Sequence, residues 1–224
     1  MTYEQGLKLA AKRLQAFGRS VVGHAGGMTD PKQSQCGEDS WLESNWPHLD
    51  LPDRDGFFVE LGAGDGIYLS NTFWLEQVKG WRGLLIEGDP RNVVKPRDGC
   101  IVERAIIGPP GVVSFGLHPT DTYLSGVAVK APSRFEAQTR TLSDVLTQHE
   151  IARVDLISID VEGNEIEVWK TLDLRRWRPT VAIVELHTWK LPDRSEEVIA
   201  VMREDGYEMI YQTALNGIFK ARND

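Results

Sequence analysis

The stretch FFVELGAGDGIYLSN, residues 57–71, runs an apolar segment directly into three glycines in five positions. An apolar run followed by glycines predicts a buried strand that turns sharply into a helix. The glycines stand at 62, 64 and 66, whereas the dinucleotide fingerprint G-x-G-x-x-G would need one at Ile67. No Gly-Lys-Ser/Thr follows, which excludes a phosphate-binding loop. The turn is therefore typical of neither common nucleotide site.

Two carboxylates belong to this turn and bear on its ligand. Glu60 precedes the glycines and Asp65 lies among them, so the charge of a pyrophosphate would be repelled. A cationic or zwitterionic ligand is favoured instead, and S-adenosylmethionine has that character, with an ammonium, a sulfonium and an uncharged ribose. The alternative is a tight strand–helix turn without a ligand, although three glycines and two carboxylates in seven residues exceed what a turn requires.

A second acidic residue stands in register with the turn. The next strand-like run, GLLIEGD (83–89), places Glu87 21 residues after Gly66. An acidic side chain at that strand end can accept hydrogen bonds from both ribose hydroxyls, and in nucleotide-binding sheets this acid follows after about 20 residues. A glutamate at a strand end is common, but its register with the glycine turn indicates a second contact with the same ligand.

From residue 57 onward, strand-like and helical runs alternate, which predicts a single-domain α/β protein. We expect a mostly parallel central sheet, helices on both faces and a C-terminal antiparallel hairpin. Ligands of such sheets bind beyond the carboxyl ends of the strands, where the winding reverses. The predicted elements are strands within 57–61, 83–88, 100–108, 111–117, 154–163 and 180–187, helices within 70–80, 141–149, 165–174 and 195–206, and a hairpin around Leu215–Asn216.

Residues 1–50 are predicted to form an N-terminal helical and loop segment that covers the site, ahead of a catalytic domain over 51–224. A short helix is expected to begin at about Glu38. Apolar residues near the start recur at the spacing of an amphipathic helix: Leu7, Ala10, Ala11, Leu14 and Phe17.

Composition narrows the class of protein. Hydrophobic residues make up 41% of the 224 and charged residues 26%, as in a soluble globular protein. No apolar run approaches the roughly 20 residues of a membrane helix, and a net charge of −8 argues against a nucleic-acid partner. The two cysteines, Cys36 and Cys100, stand outside any metal-type cluster and suit a reducing cytoplasm. A cytoplasmic location is therefore expected, and a homodimer is one assembly that the sequence allows.

Five separated motifs resemble the FkbM-like family of S-adenosylmethionine-dependent methyltransferases. The glycine loop identifies only the wider superfamily, whereas the segment ID-x-EG-x-E is the most diagnostic for this family. The motifs are SQCGED (34–39), VELGAGDGIYLSNT (59–72), LEQVKGWRGLLIEGDP (75–90), RTLSDVL (140–146) and DLISIDVEGNEIEV (155–168).

The resemblance implies a Rossmann-like methyltransferase fold and methyl transfer to a small-molecule acceptor, most often a hydroxyl of a sugar or secondary metabolite. Cys36 departs from the family, in which an aromatic residue is frequent at this position, and residues 114–137 show no family pattern beyond Ser125. The acceptor is therefore open. Taken together, the motifs predict these contacts to S-adenosylmethionine: Gln35, Glu38, Glu60, Gly62, Ala63, Gly64, Asp65, Gly66, Ser70, Asn71, Glu87 and Asp160.

Several of these contacts have a structural alternative. Ser34 could cap the helix that begins near Glu38, with Glu38 in its first turn, instead of folding over the ligand. Ser70 and Asn71 could cap the helix after the glycine turn, reach the methionine carboxylate, or do both.

The candidates for catalysis end two neighbouring strands. Asp160 follows the apolar run LISI, and Glu185 and His187 end the run AIVELH. Asp160 could bind the cofactor's ammonium, orient the acceptor or ligate a metal, and His187 is the favoured general base because its ordinary pKa lies near neutrality. The three together could hold Mg²⁺, although their spacing does not demand it. Glu162 and Gly163 either contribute to the site or only start the next helix.

Methylation of a hydroxyl is the leading hypothesis. N-methylation is the nearest variant, and the sequence lacks an Asn/Asp-Pro-Pro-Tyr-type motif that would favour it. A non-catalytic module that binds the cofactor is an alternative from another class, against which the acidic residues at the strand ends weigh. A nicotinamide oxidoreductase is disfavoured by Ile67 and by the absence of a Tyr-x-x-x-Lys set.

Overall fold

A computed structural model of the chain describes residues 30–186 and 193–222. The helix predicted near the N-terminus and His187 lie outside these described residues.

The core of the molecule is a seven-stranded sheet with the strand order β3-β2-β1-β7-β8-β10-β9. Only β10 opposes its neighbours; the other pairs are parallel. The strands of this sheet are β1 (Phe57–Leu61), β2 (Arg82–Glu87), β3 (Cys100–Arg104), β7 (Leu156–Ile159), β8 (Val181–Glu185), β9 (Tyr207–Gln212) and β10 (Asn216–Ala221). The predicted α/β class, the mostly parallel sheet and the C-terminal hairpin are confirmed.

A second, three-stranded sheet is inserted between β3 and β7. It consists of β4 (Ile106–Ile107), β6 (Ser133–Arg140) and β5 (Val112–Leu117), in that order. The sequence predicted β5 as an added strand but gave no indication of β6. The segment SRFEAQTR has few apolar residues, and β6 is mostly exposed, so a hydrophobic pattern could not reveal it.

Within residues 30–186 and 193–222, five α-helices and two short 3₁₀ turns accompany the strands. They are α1 (Glu38–Asn45), α2 (Phe73–Lys79), α3 (Leu142–Gln148), α4 (Glu165–Trp169) and α5 (Ser195–Glu204), with 3₁₀ turns over Trp46–His48 and Thr122–Leu124. Thr141 caps α3, because its side chain accepts a hydrogen bond from the Asp144 N–H. Helix α4 is shorter than predicted and ends at Trp169.

Both faces of the large sheet are buried along the inner strands β1, β2, β7 and β8, as their continuous apolar sequences require, whereas the edge strands β3 and β9 are partly exposed. Along β1, Val59 and Leu61 belong to one hydrophobic cluster and Phe58 to the other, because successive side chains point to opposite faces. None of the helices that the structure describes combines the length and hydropathy of a membrane-spanning segment.

The winding of the sheet reverses at β1, which lies between β2 and β7. The chain proceeds outward on one side through β2 and β3 and returns on the other side through β7 and β8. A crevice opens beyond the carboxyl ends of the strands at such a reversal, and ligands of α/β sheets bind there. This position is where the glycine turn, Glu87 and Asp160 emerge.

Candidate active site

A cavity of about 920 Å³ lies beyond the carboxyl ends of β1, β2, β7 and β8. This volume is at the upper end of the roughly 300–1,000 Å³ of small-molecule sites, so the cavity has room for more than one small ligand. Most of the residues predicted from the sequence line it: Gln35, Glu60, Gly62, Ala63, Gly64, Ser70, Glu87, Asp160 and Glu185. Four other predicted contacts, Glu38, Asp65, Gly66 and Asn71, are absent from this lining.

The glycine turn requires glycine for two reasons. Gly62, Gly64 and Gly66 all have positive φ angles of 56–83°, which side chains other than glycine rarely adopt. In addition, a Cβ at Gly62 would overlap the backbone carbonyl of Asp160. Gly62 therefore serves the close approach of β1 to β7, whereas Gly64 faces the cavity.

Glu60 organises the segment that follows the turn. Its carboxylate accepts hydrogen bonds from the Ser70 hydroxyl at 2.8 Å, the Asn71 N–H at 2.9 Å and the Thr72 hydroxyl at 2.6 Å. The Ser70 hydroxyl in turn accepts from the Phe73 N–H at the start of α2, as its predicted capping role requires. Asn71 instead donates its side-chain amide to Ser158 on β7. Ser70 thus both caps the helix and lines the cavity.

A buried arginine that the sequence did not single out, Arg97, stabilises the glycine turn. The Arg97 side chain is 1% exposed and donates to the Glu76 carboxylate at 2.6 Å and to the Gly66 carbonyl at 3.0 Å. It also lies 3.5 Å from the Glu60 carboxylate. Because Arg97 comes between β2 and β3, no local pattern connects it with the glycine turn.

The negative charge of Asp65 is offset by a neighbouring lysine, which the sequence did not predict. Its carboxylate accepts from the Lys95 ammonium at 2.6 Å and from the N–H groups of Ile67 and Tyr68 at 2.9 and 2.8 Å. Burial acts to raise the pKa of Asp65, but these contacts hold it below its usual value. The ion pair with Lys95 weakens the argument that Asp65 repels an anionic ligand, since the two charges offset each other.

Glu87 is the last residue of β2 and contacts the glycine turn. It is buried, with 6% of its surface exposed. Oε2 accepts from the Gly64 N–H and Oε1 from the Asp89 N–H, both at 2.6 Å. Burial raises the pKa of Glu87, although the N–H groups of Asp89 and Gly64 and the Asn92 side chain act in the opposite direction. A buried acceptor in the cavity wall is the arrangement that a ribose diol needs.

Three carboxyl groups meet at the carboxyl ends of β7 and β8, and we call them the acidic group: Asp160, Glu162 and Glu185. One oxygen of each lies within 4.8 Å of the others. Burial together with the charges of Glu185 and Glu162 raises the pKa of Asp160 well above its usual value, and a hydrogen bond between Asp160 and Glu185, which needs a proton on one of the two, acts in the same direction. The sequence predicted Asp160 and Glu185 to be close, but it left the role of Glu162 open.

The backbone at Glu162 is unusual. Its φ of 63° is left-handed, a conformation that costs a non-glycine residue of the order of 1 kcal/mol or more. The turn is held by Glu165, whose carboxylate accepts from the N–H groups of Val161 and Gly163 at 3.2 and 2.9 Å. Glu162 and Gly163 thus form the turn before α4, as the structural alternative proposed, while Glu162 also lines the cavity.

The N-terminal motif reaches the site through two residues. Gln35 and Cys36 line the cavity, and burial raises the pKa of the Cys36 thiol to about 12. Glu38 is fully buried, and its carboxylate accepts from the Thr213 hydroxyl at 2.9 Å and the Asn216 amide at 2.7 Å. Glu38 therefore attaches this motif to the C-terminal hairpin. Ser34 accepts from the Asp39 N–H in the first turn of α1.

The charge of the lining has one sign. Six acidic residues contribute to it, and among residues 30–186 and 193–222 no lysine, arginine or histidine does. The acidic lining residues are Glu60, Glu87, Asp121, Asp160, Glu162 and Glu185.

The sheet order, the glycine turn at the reversal of winding and the acidic strand ends define a Rossmann-like methyltransferase fold. The methyltransferase FkbM domain model matches residues 60–209, more than half of the chain. The chain therefore belongs to the FkbM methyltransferase family, as its motifs predicted.

Individual relatives are distant. Methyltransferase sdnD of Sordaria araneosa is 30% identical over 92 residues, which cover 38% of this chain and 34% of that protein. The matched part thus spans about a third of the length of this curated relative.

Solved structures of methyltransferases are similar only at the level of the fold. Precorrin-6y C5,15-methyltransferase from Geobacter metallireducens GS-15 is 13% identical, with 88% of this chain and 92% of that chain covered and a TM-score of 0.45. The N-terminal domain of human METTL16 in complex with SAH is 16% identical, with 83% and 69% covered and a TM-score of 0.44. Identities of this size say nothing about the acceptor.

Proposed function

We propose that this methyltransferase uses S-adenosylmethionine to methylate a hydroxyl group of a small acceptor. The observation that carries the proposal is that one cavity is lined both by the glycine turn with Glu87, after β1 and β2, and by the acidic group, at the ends of β7 and β8. We call the first the cofactor wall and the second the acceptor wall. A donor held at the cofactor wall and an acceptor held at the acceptor wall would share the cavity.

The cofactor wall supplies the contacts that S-adenosylmethionine needs. Glu87 offers a buried carboxyl group to the ribose hydroxyls, and an ionised carboxylate accepts such hydrogen bonds strongly. Gly64 presents bare backbone to the cavity, which lets a ligand approach closely. The sulfonium and ammonium of the cofactor would face a lining that carries carboxyl groups, so attraction between opposite charges supports this placement.

The chemistry is an in-line displacement at the methyl carbon. The protein must hold the acceptor oxygen about 3–3.5 Å from the methyl group, and this positioning can supply most of the rate. The hydroxyl must also lose its proton, for which a general base contributes roughly 10²–10⁴-fold. We assign orientation of the acceptor to Asp160 and Glu185, and the base role to His187, two residues after Glu185.

The charge of the lining favours an uncharged acceptor over a phosphorylated one. An anionic acceptor would enter a cavity whose described lining carries six acidic residues and no basic one. Repulsion in a site of low dielectric is stronger than in water. A neutral polyol or polyketide-like compound is therefore the acceptor class that this lining supports.

The acidic group also carries the Mg²⁺ hypothesis, because carboxylate oxygens are the ligands that this ion prefers. A bound ion would lower the pKa of the acceptor hydroxyl, and it would have to displace the proton that Asp160 and Glu185 share. Loss of activity with a chelator, restored by Mg²⁺, would support the hypothesis, and full activity in the chelator would remove it.

The direct test of the proposed function is the titration of S-adenosylmethionine or S-adenosylhomocysteine into the purified protein by calorimetry. Gly64→Leu should abolish binding, since its side chain would occupy the place where backbone meets ligand. Gly80→Leu is the matched control, because Gly80 also has a left-handed φ, of 66°, and a Cβ there would meet only the end of the Arg54 side chain, at 3.7 Å. No binding by the parent protein at millimolar cofactor would overturn the proposal. With binding established, labelled methyl donor and paired neutral and phosphorylated hydroxylated compounds identify the acceptor class.

A further inference from the structure

A short loop between β5 and β6 covers the cavity, and we call residues 117–126 the cover loop. Its base is fastened where Gly116 and Gly126 exchange two backbone hydrogen bonds of 2.9 and 3.1 Å. Thr122, Tyr123, Leu124 and Ser125 of this loop line the cavity. The loop is therefore a compact unit that projects from the small sheet over the candidate site.

The cover loop touches the segments that follow three strands of the large sheet. Tyr123 lies on the glycine turn after β1. Ser125 accepts a 3.0 Å hydrogen bond from the guanidinium of Arg91, after β2. At its base, Gly126 packs so closely on Val161 and Glu162, after β7, that a Cβ at Gly126 would crowd them. These contacts span both walls of the cavity.

Tyr123 occupies the place where a ligand would meet the glycine turn. A Cβ on Gly64 would overlap the Tyr123 ring, so the ring lies directly against the Gly64 backbone. The Tyr123 hydroxyl accepts a long hydrogen bond of 3.4 Å from the Asp65 N–H, and the ring packs edge-on against Tyr68 with centroids 5.8 Å apart. Cofactor and ring cannot contact this face of Gly64 at the same time.

The contacts that hold the loop closed are few and partly exposed. The Arg91 side chain is 36% exposed, and it donates to Ser125 and to the His118 carbonyl at 3.0 Å each. Arg91 is itself held by Asp89, two residues beyond Glu87, through a 2.7 Å ion pair. Opening the loop would break the long hydrogen bond of Tyr123 and the hydrogen bonds from the partly exposed Arg91 side chain. The free-energy cost of opening is therefore small, because few buried contacts are lost.

We propose that Tyr123 gates the cofactor site: its ring leaves Gly64 to admit the cofactor, and the cover loop, fastened through Arg91 and Ser125, closes again over the bound molecule. The inference rests on the proposed function and adds a residue that controls access to the cofactor site. A gate acts on entry and exit alike, so removing it raises the association and dissociation rate constants together.

The test measures both rate constants for S-adenosylhomocysteine by surface plasmon resonance or stopped flow. Tyr123→Ala should raise each of them about two- to tenfold, the range expected for losing one aromatic pair, and Tyr123→Phe should stay within about twofold of the parent because the ring remains. Parental rate constants in Tyr123→Ala would overturn the gate. So would a change in the dissociation rate constant alone, since that describes an ordinary contact with the bound ligand.

A second variant tests the hydrogen bond between Arg91 and Ser125 and leaves the Tyr123 ring unchanged. Ser125→Ala removes the acceptor for Arg91 and should raise both rate constants about three- to tenfold, whereas Ser114→Ala, an exposed serine on β5, should match the parent. Unchanged rate constants in Ser125→Ala would overturn the fastening role. Failure of the parent protein to bind S-adenosylhomocysteine is a separate result, which overturns the proposed function itself.

Discussion

The backbone N–H of Gly64 donates a 2.6 Å hydrogen bond to the carboxylate of Glu87, which joins the ends of β1 and β2. The two residues are 23 apart in sequence, and the parallel register that pairs Leu61 with Ile86 brings them together. Glu87 also lines the cavity. The residue proposed to bind the ribose is therefore the one that holds the glycine turn.

Glu87→Ala should lower the affinity for S-adenosylmethionine by about one to two orders of magnitude, because it removes a charge-assisted acceptor worth roughly 1.5–3 kcal/mol. Glu87→Gln should lose less, since one oxygen acceptor remains. Calorimetric titration measures both, with Glu136→Ala on the exposed face of β6 as the control. Parental affinity in both Glu87 variants would mean that the ribose lies elsewhere.

Asp160→Asn should stabilise the fold at neutral pH, because it removes a buried carboxyl group whose ionisation the folded state opposes. The folded-state pKa of Asp160 is raised, so its contribution to stability is present below the unfolded pKa and is lost as pH rises through the folded pKa. The variant lacks this loss. The difference between the two proteins should therefore be small in acid and grow with pH.

Denaturant unfolding of parent and Asp160→Asn at several values between pH 4 and pH 8 checks this dependence. Asp98→Asn, at an exposed aspartate, is the control and should show no comparable trend. A difference that is constant with pH would contradict the proton shared between Asp160 and Glu185. Methyl transfer by Asp160→Asn should also be slower, because the acceptor loses an orienting group.

Arg97→Met should destabilise the protein by roughly 3–5 kcal/mol, because it leaves the buried carboxylates of Glu76 and Glu60 without a cation. Arg175→Met is the matched control. The Arg175 side chain is 93% exposed and pairs with Asp173 at the surface, so the change should stay within about 0.5 kcal/mol. Urea unfolding compares the two variants, and equal small losses would show that Arg97 does not brace the glycine turn.

His187→Ala should leave the affinity for the cofactor near the parent value and reduce single-turnover methylation by roughly 10²–10⁴-fold. The loss should shrink at high pH, since more of an acidic acceptor ionises without help. His48→Ala, in the 3₁₀ turn after α1, serves as the control for removal of an exposed imidazole. Full turnover by His187→Ala would remove the base role and leave positioning as the main source of catalysis.

The succession of strands and helices along the chain could be predicted from the sequence, because the residue pattern that indicates each element is local. The run FFVEL is apolar throughout, and Gly62, Gly64 and Gly66 are required by their positive φ angles, whatever surrounds them. The register of Glu87 with the turn follows from the length of the helix between the two strands. The exceptions are the shortened α4 and the strand β6, whose exposed residues give no hydrophobic pattern.

The candidate site was only partly predictable, because local signals identify the residues at strand ends but not the contacts that their side chains make. Residues on the motifs themselves, such as Glu87 and Asp160, were found because they end strands. Glu38 was expected either to fold over the ligand or to lie in the first turn of a helix; it lies in the first turn of α1, and its carboxylate accepts a hydrogen bond from Asn216, 178 residues away. A side chain in a recognisable motif can face the cavity or pack inside the protein, and the motif does not determine which of the two it does.

The sequence alone determined the fold class, the place of the glycine turn and the acidic residue at each strand end, since these depend on periodicity and on the backbone freedom of glycine. The contacts around these residues depend on the tertiary structure. Arg97 meets Gly66 across 31 residues and Tyr123 meets Asp65 across 58, and Glu162 joins Asp160 and Glu185, which the sequence had placed on neighbouring strand ends. Contacts of this range depend on how the sheet orders its strands, and no local pattern of residues encodes that order.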